Sequence, residues 1–132
     1  MATLFAPIEI RGLTIPNRIV MPPMTTRLAA PDGTVTPELI QYYVARAEGG
    51  SGLITVEMSS PEPRGRHRAG ELGISEDRFV AGLQRLTARV KRAGARAAIQ
   101  IGHAGGHTRR DVTGSPRWRP RQCRTSCRRW KP

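Results

Sequence analysis

The sequence predicts a parallel α/β protein, and three observations carry that prediction. In Gln41-Tyr-Tyr-Val-Ala-Arg-Ala-Glu-Gly-Gly-Ser-Gly-Leu-Ile-Thr-Val-Glu57 a helical face stops at two glycines and a buried strand begins at once, the tight αβ joint of such folds. The strand Leu53–Val56 is apolar except for Thr55, as strands covered on both faces tend to be. Strand-like segments recur roughly 35 to 45 residues apart with a helical pattern between them, a spacing suited to right-handed βαβ crossovers.

Each element has its own signal. Ile8-Glu-Ile-Arg-Gly-Leu-Thr-Ile15 holds two short β-rich runs around Gly12 and predicts a hairpin. Arg18-Ile-Val-Met21 follows as a first strand, ended by Pro22-Pro23 because proline cannot donate to a central ladder. Thr36-Pro37-Glu38 supplies an N-cap hydroxyl, a preset first-turn proline and an acid at the positive end of a helix. That helix is expected to run to about Glu48, with Leu39, Ile40, Tyr43, Val44 and Ala47 on its apolar face.

Leu53–Val56 is the second strand, and residues 60–73 read as a polar loop. Ser75-Glu-Asp is expected to cap a second helix whose apolar positions are Phe79, Leu83, Leu86 and Val90, with Gly94 just beyond its basic last turn. Ala97–Ile101 is the third strand. Gly102-His-Ala-Gly-Gly106 lacks the spacing and the downstream helix of a dinucleotide fingerprint. Pattern alone leaves an open sheet and a closed barrel as equal choices.

The chain has 132 residues and a formal charge of +12, with no apolar run of bilayer length and no charged-then-apolar start like a secretory signal. A cytoplasmic protein without membrane partners is the expectation. The charge is uneven: residues 1–114 carry 15 Lys+Arg against 10 Asp+Glu, whereas residues 115–132 carry 7 basic residues and no acid. Both tryptophans (Trp118, Trp130) and both cysteines (Cys123, Cys127) also fall in that tail, so body and tail need separate explanations.

In a parallel α/β protein the ligand sits at the carboxyl ends of the strands. Here those positions offer an apolar shelf (Pro23, Met24, Met58), a hydroxyl (Thr25) and an amide that both donates and accepts (Gln100), a set suited to a planar heteroaromatic with polar edges. Bland readings stand beside these: Thr25 equally fits a turn hydroxyl, Gln100 a group satisfying a buried strand end, and Glu57 a strand-end polar group rather than a general base. His103 and His107, with Cys123 and Cys127, invite a metal reading. An i, i+4 pair shares a face only on a helix, however, and Gly105-Gly106 disfavours one, so no metal is expected.

Five segments resemble the old yellow enzyme family of flavin oxidoreductases: Leu4-Phe-x-Pro-Ile, Leu13-Thr-Ile-Pro-Asn-Arg-Ile-Val20, Pro22-Pro-Met-Thr25, Tyr43-x-x-Arg-Ala-x-Gly-Gly-x-Gly-Leu-Ile54 and Ile99-Gln-Ile-Gly-His-Ala-Gly105. The resemblance covers about residues 3–114. It implies the N-terminal portion of a (β/α)8 TIM barrel, a hairpin plus about three βα units, with FMN over the carboxyl ends of the strands. It further implies that Pro23, Met24 and Thr25 lie against the isoalloxazine, that Met58 stands near it and that Gln100 bonds its pyrimidine edge. The implied chemistry is hydride transfer from NAD(P)H through FMN to an activated alkene or similar small-molecule acceptor, the flavin carrying the redox step. An oligomer is an open expectation for full-length members.

The sequence departs from the family pattern in three ways. The usual His-x-Gly-Arg after the third strand reads His103-Ala-Gly-Gly106, and Met58 is bulkier than the common alanine. A whole barrel needs about 250 residues, so the expected catalytic residues and phosphate-binding loops fall beyond three barrel strands. With arginine read as CGN, the codons of residues 116–132, re-read two nucleotides later, can yield Ala-Val-Ala-Pro-Ser-Ala-Met-Pro-His-Val-Val, which looks like family sequence after strand three. The tail is accordingly expected to be an out-of-frame, disordered end produced by a frameshift near codon 115; an uninterrupted frame on resequencing would remove the idea. The alternative reading of the whole chain, a small basic nucleic-acid-binding protein, rests on an unpatterned tail without RNA-binding aromatic motifs.

Overall fold

The structure is a computed structural model that describes residues 3–114, so the tail expected to be disordered lies outside the described residues. The chain opens with an antiparallel ribbon of β1 (Ile8–Ile10) and β2 (Leu13–Ile15), with Ile8 opposite Ile15 and Ile10 opposite Leu13. Its two-residue turn has φ of +46° at Arg11 and +80° at Gly12. Positive φ at both central positions gives the primed turn whose twist matches the strands, the hairpin expected around Gly12. Arg96 Nε donates to the Thr14 carbonyl at 2.9 Å and holds the ribbon at the amino end of the sheet.

Four parallel strands follow: β3 (Val20–Met21), β4 (Leu53–Ser60), β5 (Leu72–Gly73) and β6 (Arg96–Ile101). β4 is the centre. β3 pairs with its first residues and β5 with its last, both on one edge, while β6 runs along the other edge from Leu53 to Ser59.

Two strands differ from expectation. β3 is two residues rather than four, because Asn17 Oδ1 accepts the Ile19 N–H at 2.9 Å while Asn17 Nδ2 donates to the Gly50 carbonyl at 2.8 Å, holding the preceding segment in a side-chain turn. β4 extends four residues past Val56, and β5 lies inside the segment read as a loop. The added part of β4 contains Glu57, Ser59 and Ser60, which are polar yet buried and so left no apolar signal.

Helix α1 (Pro37–Glu48) starts as its sequence dictates: Thr36 Oγ1 accepts the Leu39 N–H at 3.1 Å and donates to the Leu28 carbonyl at 2.6 Å, with Pro37 in the first turn. Leu39, Tyr43, Val44 and Ala47 are buried, as the helical spacing requires. Helix α2 (Val80–Arg92) is entered differently from expectation. A 3-10 turn at Asp77–Phe79 leads into it, and no side chain among the described residues caps it. Phe79, Leu86 and Val90 are buried, Leu83 half-buried, and Gly94 leaves the helix at φ +98°. A last short turn of helix, α3 (Arg110–Thr113), follows β6.

Both long helices pack on one face of β4, joining Leu39, Tyr43, Ile54, Val56, Leu86 and Val90 in one cluster. Each such side chain contributes about 1.5–3 kcal/mol of transfer free energy. The opposite face is open: Ala98 and Gln100 are exposed on β6. Between α2 and β6 an apolar groove of about 270 Å³ is lined by Leu83, Leu86, Ala97 and Ile99 among others. The described residues form part of an α/β barrel and do not close one.

Candidate cofactor site

The residues singled out from the sequence come to the carboxyl ends of three neighbouring strands. Pro23, Met24 and Thr25 follow β3; Met24 is 56% exposed, Thr25 exposed and Pro23 half-buried. Met58 on β4 and Gln100 on β6 are direct partners in the ladder. That pairing depends on a β-bulge. The register runs from Val56 opposite Ile99 to Met58 opposite Gln100, so Glu57 is the extra residue on β4. Side chains alternate along a strand, and one inserted residue swaps the faces that follow. The bulge therefore puts Met58 on the open face beside Gln100 and leaves Glu57 turned towards α1.

Gly102 closes the end of β6 against this pair. A Cβ there would lie 2.6 Å from Met58 Cγ and 2.8 Å from its sulfur, so the Met58 side chain occupies the space that only a glycine leaves.

Glu57 is a correction to the sequence reading. It lies within the strand and is fully buried, not a polar group at the strand end. Its Oε2 accepts the Thr26 N–H at 2.8 Å, tying the loop that carries Thr25 to β4. The Tyr43 hydroxyl of α1 accepts the Glu57 N–H at 2.8 Å and lies 3.4 Å from the same Oε2. Glu57 Oε1 has no hydrogen-bond partner among the described residues. Burial pushes the Glu57 carboxyl above its ordinary value of 4.5, the hydrogen bonds from Thr26 and Tyr43 oppose that shift, and the nearby Glu71 adds to it. Burial likewise raises the Tyr43 hydroxyl, which remains protonated. The sequence signal for this pair was present but weak: one acid inside an apolar strand, and one tyrosine on a buried helix face.

The bland readings of two site residues do not describe this structure. The turn hydroxyl in the loop is Thr26, whose Oγ1 accepts the Leu28 N–H at 3.1 Å. Among the described residues Thr25 Oγ1 and the Gln100 amide have no hydrogen-bond partner, and both side chains face solvent. An open apolar shelf with a free hydroxyl and a free amide fits an isoalloxazine ring, whose faces stack and whose edge both donates and accepts.

The histidines are occupied in other ways. His103 Nδ1 accepts the Gly105 N–H at 2.8 Å and its Nε2 lies 3.4 Å from Glu62 Oε1, while the His107 carbonyl meets His67 Nδ1 at 2.8 Å. Among the described residues no three His, Cys, Asp or Glu side chains gather as metal ligands do. Cys123 and Cys127 lie outside them. No helix among the described residues is long and apolar enough to cross a membrane.

The chain is similar in sequence and fold to known proteins. The chain is 46% identical over 111 residues to an NADH oxidase of Thermoanaerobacter brockii, covering 83% of this chain and 17% of that one. It is 44% identical over 103 residues to an NADPH dehydrogenase of Bacillus subtilis (strain 168), covering 77% and 30%. Among solved structures, the old yellow enzyme homologue from Zymomonas mobilis superimposes with a TM-score of 0.81 at 31% identity, over 87% of this chain and 32% of that one. Morphinone reductase does so with a TM-score of 0.78 at 32% identity, over 86% and 30%. The chain thus spans about a third or less of the length of the relatives it matches. Residues 3–126 match the family profile, and the chain belongs to the NADH:flavin oxidoreductase / NADH oxidase family.

Proposed function

We propose that this chain supplies the ring-binding part of an FMN-dependent oxidoreductase of the old yellow enzyme type, which takes reducing equivalents from NAD(P)H and passes them to an activated alkene or a similar small acceptor. The observation that carries the reading is the ladder pairing of Met58 with Gln100 on the open face, next to a loop whose Thr25 hydroxyl has no partner among the described residues. In this reading Gln100 would hold the polar edge of the ring, Thr25 would hydrogen-bond it, and Pro23, Met24 and Met58 would offer it apolar surface. When bound, FMN supplies the hydride chemistry.

The chain's own residues would orient the ring. Glu57 and Tyr43 fix the loop bearing Thr25 from beneath, through the Thr26 N–H. Met58, held between Gln100 and Gly102, narrows the space over the shelf relative to a smaller side chain. No residue is assigned a catalytic role. A cytoplasmic location belongs to this reading, since it needs access to NAD(P)H.

The test is titration of the chain with FMN, followed by the visible absorption of the flavin. A saturable spectral change is expected, weakened about tenfold in Gln100→Ala, the scale of one or two hydrogen bonds to the ring. A titration identical in the wild-type chain and Gln100→Ala would count against the reading.

A further inference from the structure

Three loops at the carboxyl end of the sheet meet around a second cavity, of about 160 Å³, lined by Arg27, Arg68, Ala69, Arg109, Asp111 and Val112. Arg27 comes from the loop after β3, Arg68 from the segment between β4 and β5, and Arg109 from the turn after β6. Sequence reading found none of the three, because they are far apart in the chain and lie in segments without periodicity.

Backbone contacts lock these loops together. The Ala29 N–H donates to the Gly70 carbonyl at 3.2 Å. Gly70, at φ +78°, sits so close to the first loop that a Cβ would lie 2.6 Å from the Arg27 carbonyl oxygen. The buried Glu71 accepts the His67 and Arg68 N–H groups on Oε2, at 2.7 and 3.1 Å, and His67 Nδ1 meets the His107 carbonyl of the third loop. Arg27 itself has φ +63°, a left-handed conformation that favours glycine and strains an arginine.

The charges in this cavity do not balance. Arg109 is bonded through two nitrogens to Asp111, at 3.1 and 2.7 Å. Arg27 and Arg68 have no acidic partner among the described residues. Two exposed guanidiniums without an acidic partner among the described residues thus line one cavity with a third that is already paired, leaving net positive charge that an anion can complement. Arg27 stands two residues from Thr25 on the same loop.

We propose that Arg27 and Arg68, backed by Arg109, bind an oxyanionic group, carboxylate or phosphate, of the small molecule that meets the flavin shelf. Placement beside the flavin rests on the function proposed above; anion binding does not. Planar guanidiniums match either oxyanion through paired N–H donors, so the shared chemistry is the claim, and its two sources are an acidic acceptor and the 2′-phosphate of NADPH.

The test is calorimetric titration of the full chain with inorganic phosphate at ionic strength held constant with chloride. Saturable binding is expected, weakened about tenfold in Arg27→Gln and in Arg68→Gln. It should be only partly retained in Arg27→Lys, which keeps the charge but loses the paired N–H donors, and unchanged in Arg89→Gln, which alters an exposed arginine on α2. Adenosine 2′-phosphate against adenosine, and crotonate against crotonamide, distinguish the two sources. No binding, or binding that Arg89→Gln weakens as much as the pocket variants do, would overturn the proposal. Neutral lumiflavin separates it from the flavin reading: phosphate binding without lumiflavin binding removes the shelf and leaves the pocket, and the converse removes the pocket alone.

Discussion

The Tyr43 hydroxyl accepts the backbone N–H of Glu57 at 2.8 Å and lies 3.4 Å from that residue's Oε2, so one side chain of α1 serves both the main chain and the carboxylate of the bulge in β4. The bulge takes the Glu57 N–H out of the β4–β6 ladder, and a buried N–H needs another acceptor. Tyr43→Phe is predicted to destabilise the chain by about 1–3 kcal/mol, the penalty of a buried donor left unpaired. Urea unfolding measures it. Unchanged stability would mean that water reaches the bulge.

The buried Glu57 carboxyl has a second consequence. Its folded-state pKa is raised above 4.5, chiefly by burial, so the native state holds this proton more tightly than the unfolded chain does. Between the unfolded and folded values the native state binds more protons, and stability falls as pH rises through that window. Glu57→Gln is predicted to remove this component, so that its stability from pH 4 upward declines less steeply than the wild type's. Parallel curves for the two proteins in urea unfolding across pH would contradict the prediction.

Gly70 is predicted to reject alanine. Its φ of +78° disfavours any side chain, and the added Cβ would lie against the Arg27 carbonyl, a main-chain atom that cannot swing away. Gly70→Ala should cost about 1–3 kcal/mol by strain alone and should raise amide hydrogen exchange in the loop after β3 before it affects α2. Equal acceleration in both regions would show that the two loops are not locked to each other locally.

Thr36→Ala is predicted to cost about 0.5–2 kcal/mol, because the hydroxyl caps the Leu39 N–H and also donates to the Leu28 carbonyl. Thr36→Ser keeps both bonds and should recover most of that loss in thermal unfolding. A serine variant no better than alanine would show that the methyl group, not the cap, is what matters.

Elements with local signals were legible in the sequence. Thr36-Pro37-Glu38 marks the start of α1 and Gly49-Gly50 its end, while Gly12 marks the hairpin turn. What stayed hidden depends on contacts between distant segments. Glu57 read as a polar group at a strand end because its partner, the Tyr43 hydroxyl, comes from α1, and Ser60 read as the start of a loop because a buried serine leaves no apolar signal. β5 is two residues long, too short to show any period. Pro23, Met24, Thr25, Met58 and Gln100 stand out by their place after the strands, and their roles at the ring come from motif resemblance, while no pattern in the sequence reveals the bulge that brings Met58 beside Gln100. The arginine cavity was invisible for the same reason, being assembled from positions 27, 68 and 109.

The account's central claim is that the loop bearing Thr25 and the ends of β4 and β6 form one surface for a flavin ring. Lumiflavin isolates ring recognition because it lacks the ribityl phosphate, and its binding can be followed by NMR at the Thr25 amide, the Met58 methyl and the Gln100 side-chain amide. The account predicts that these three signals shift together along one saturable curve while signals on α2 stay still. Shifts confined to the apolar groove between α2 and β6, or no saturable shift at Gln100, would contradict it.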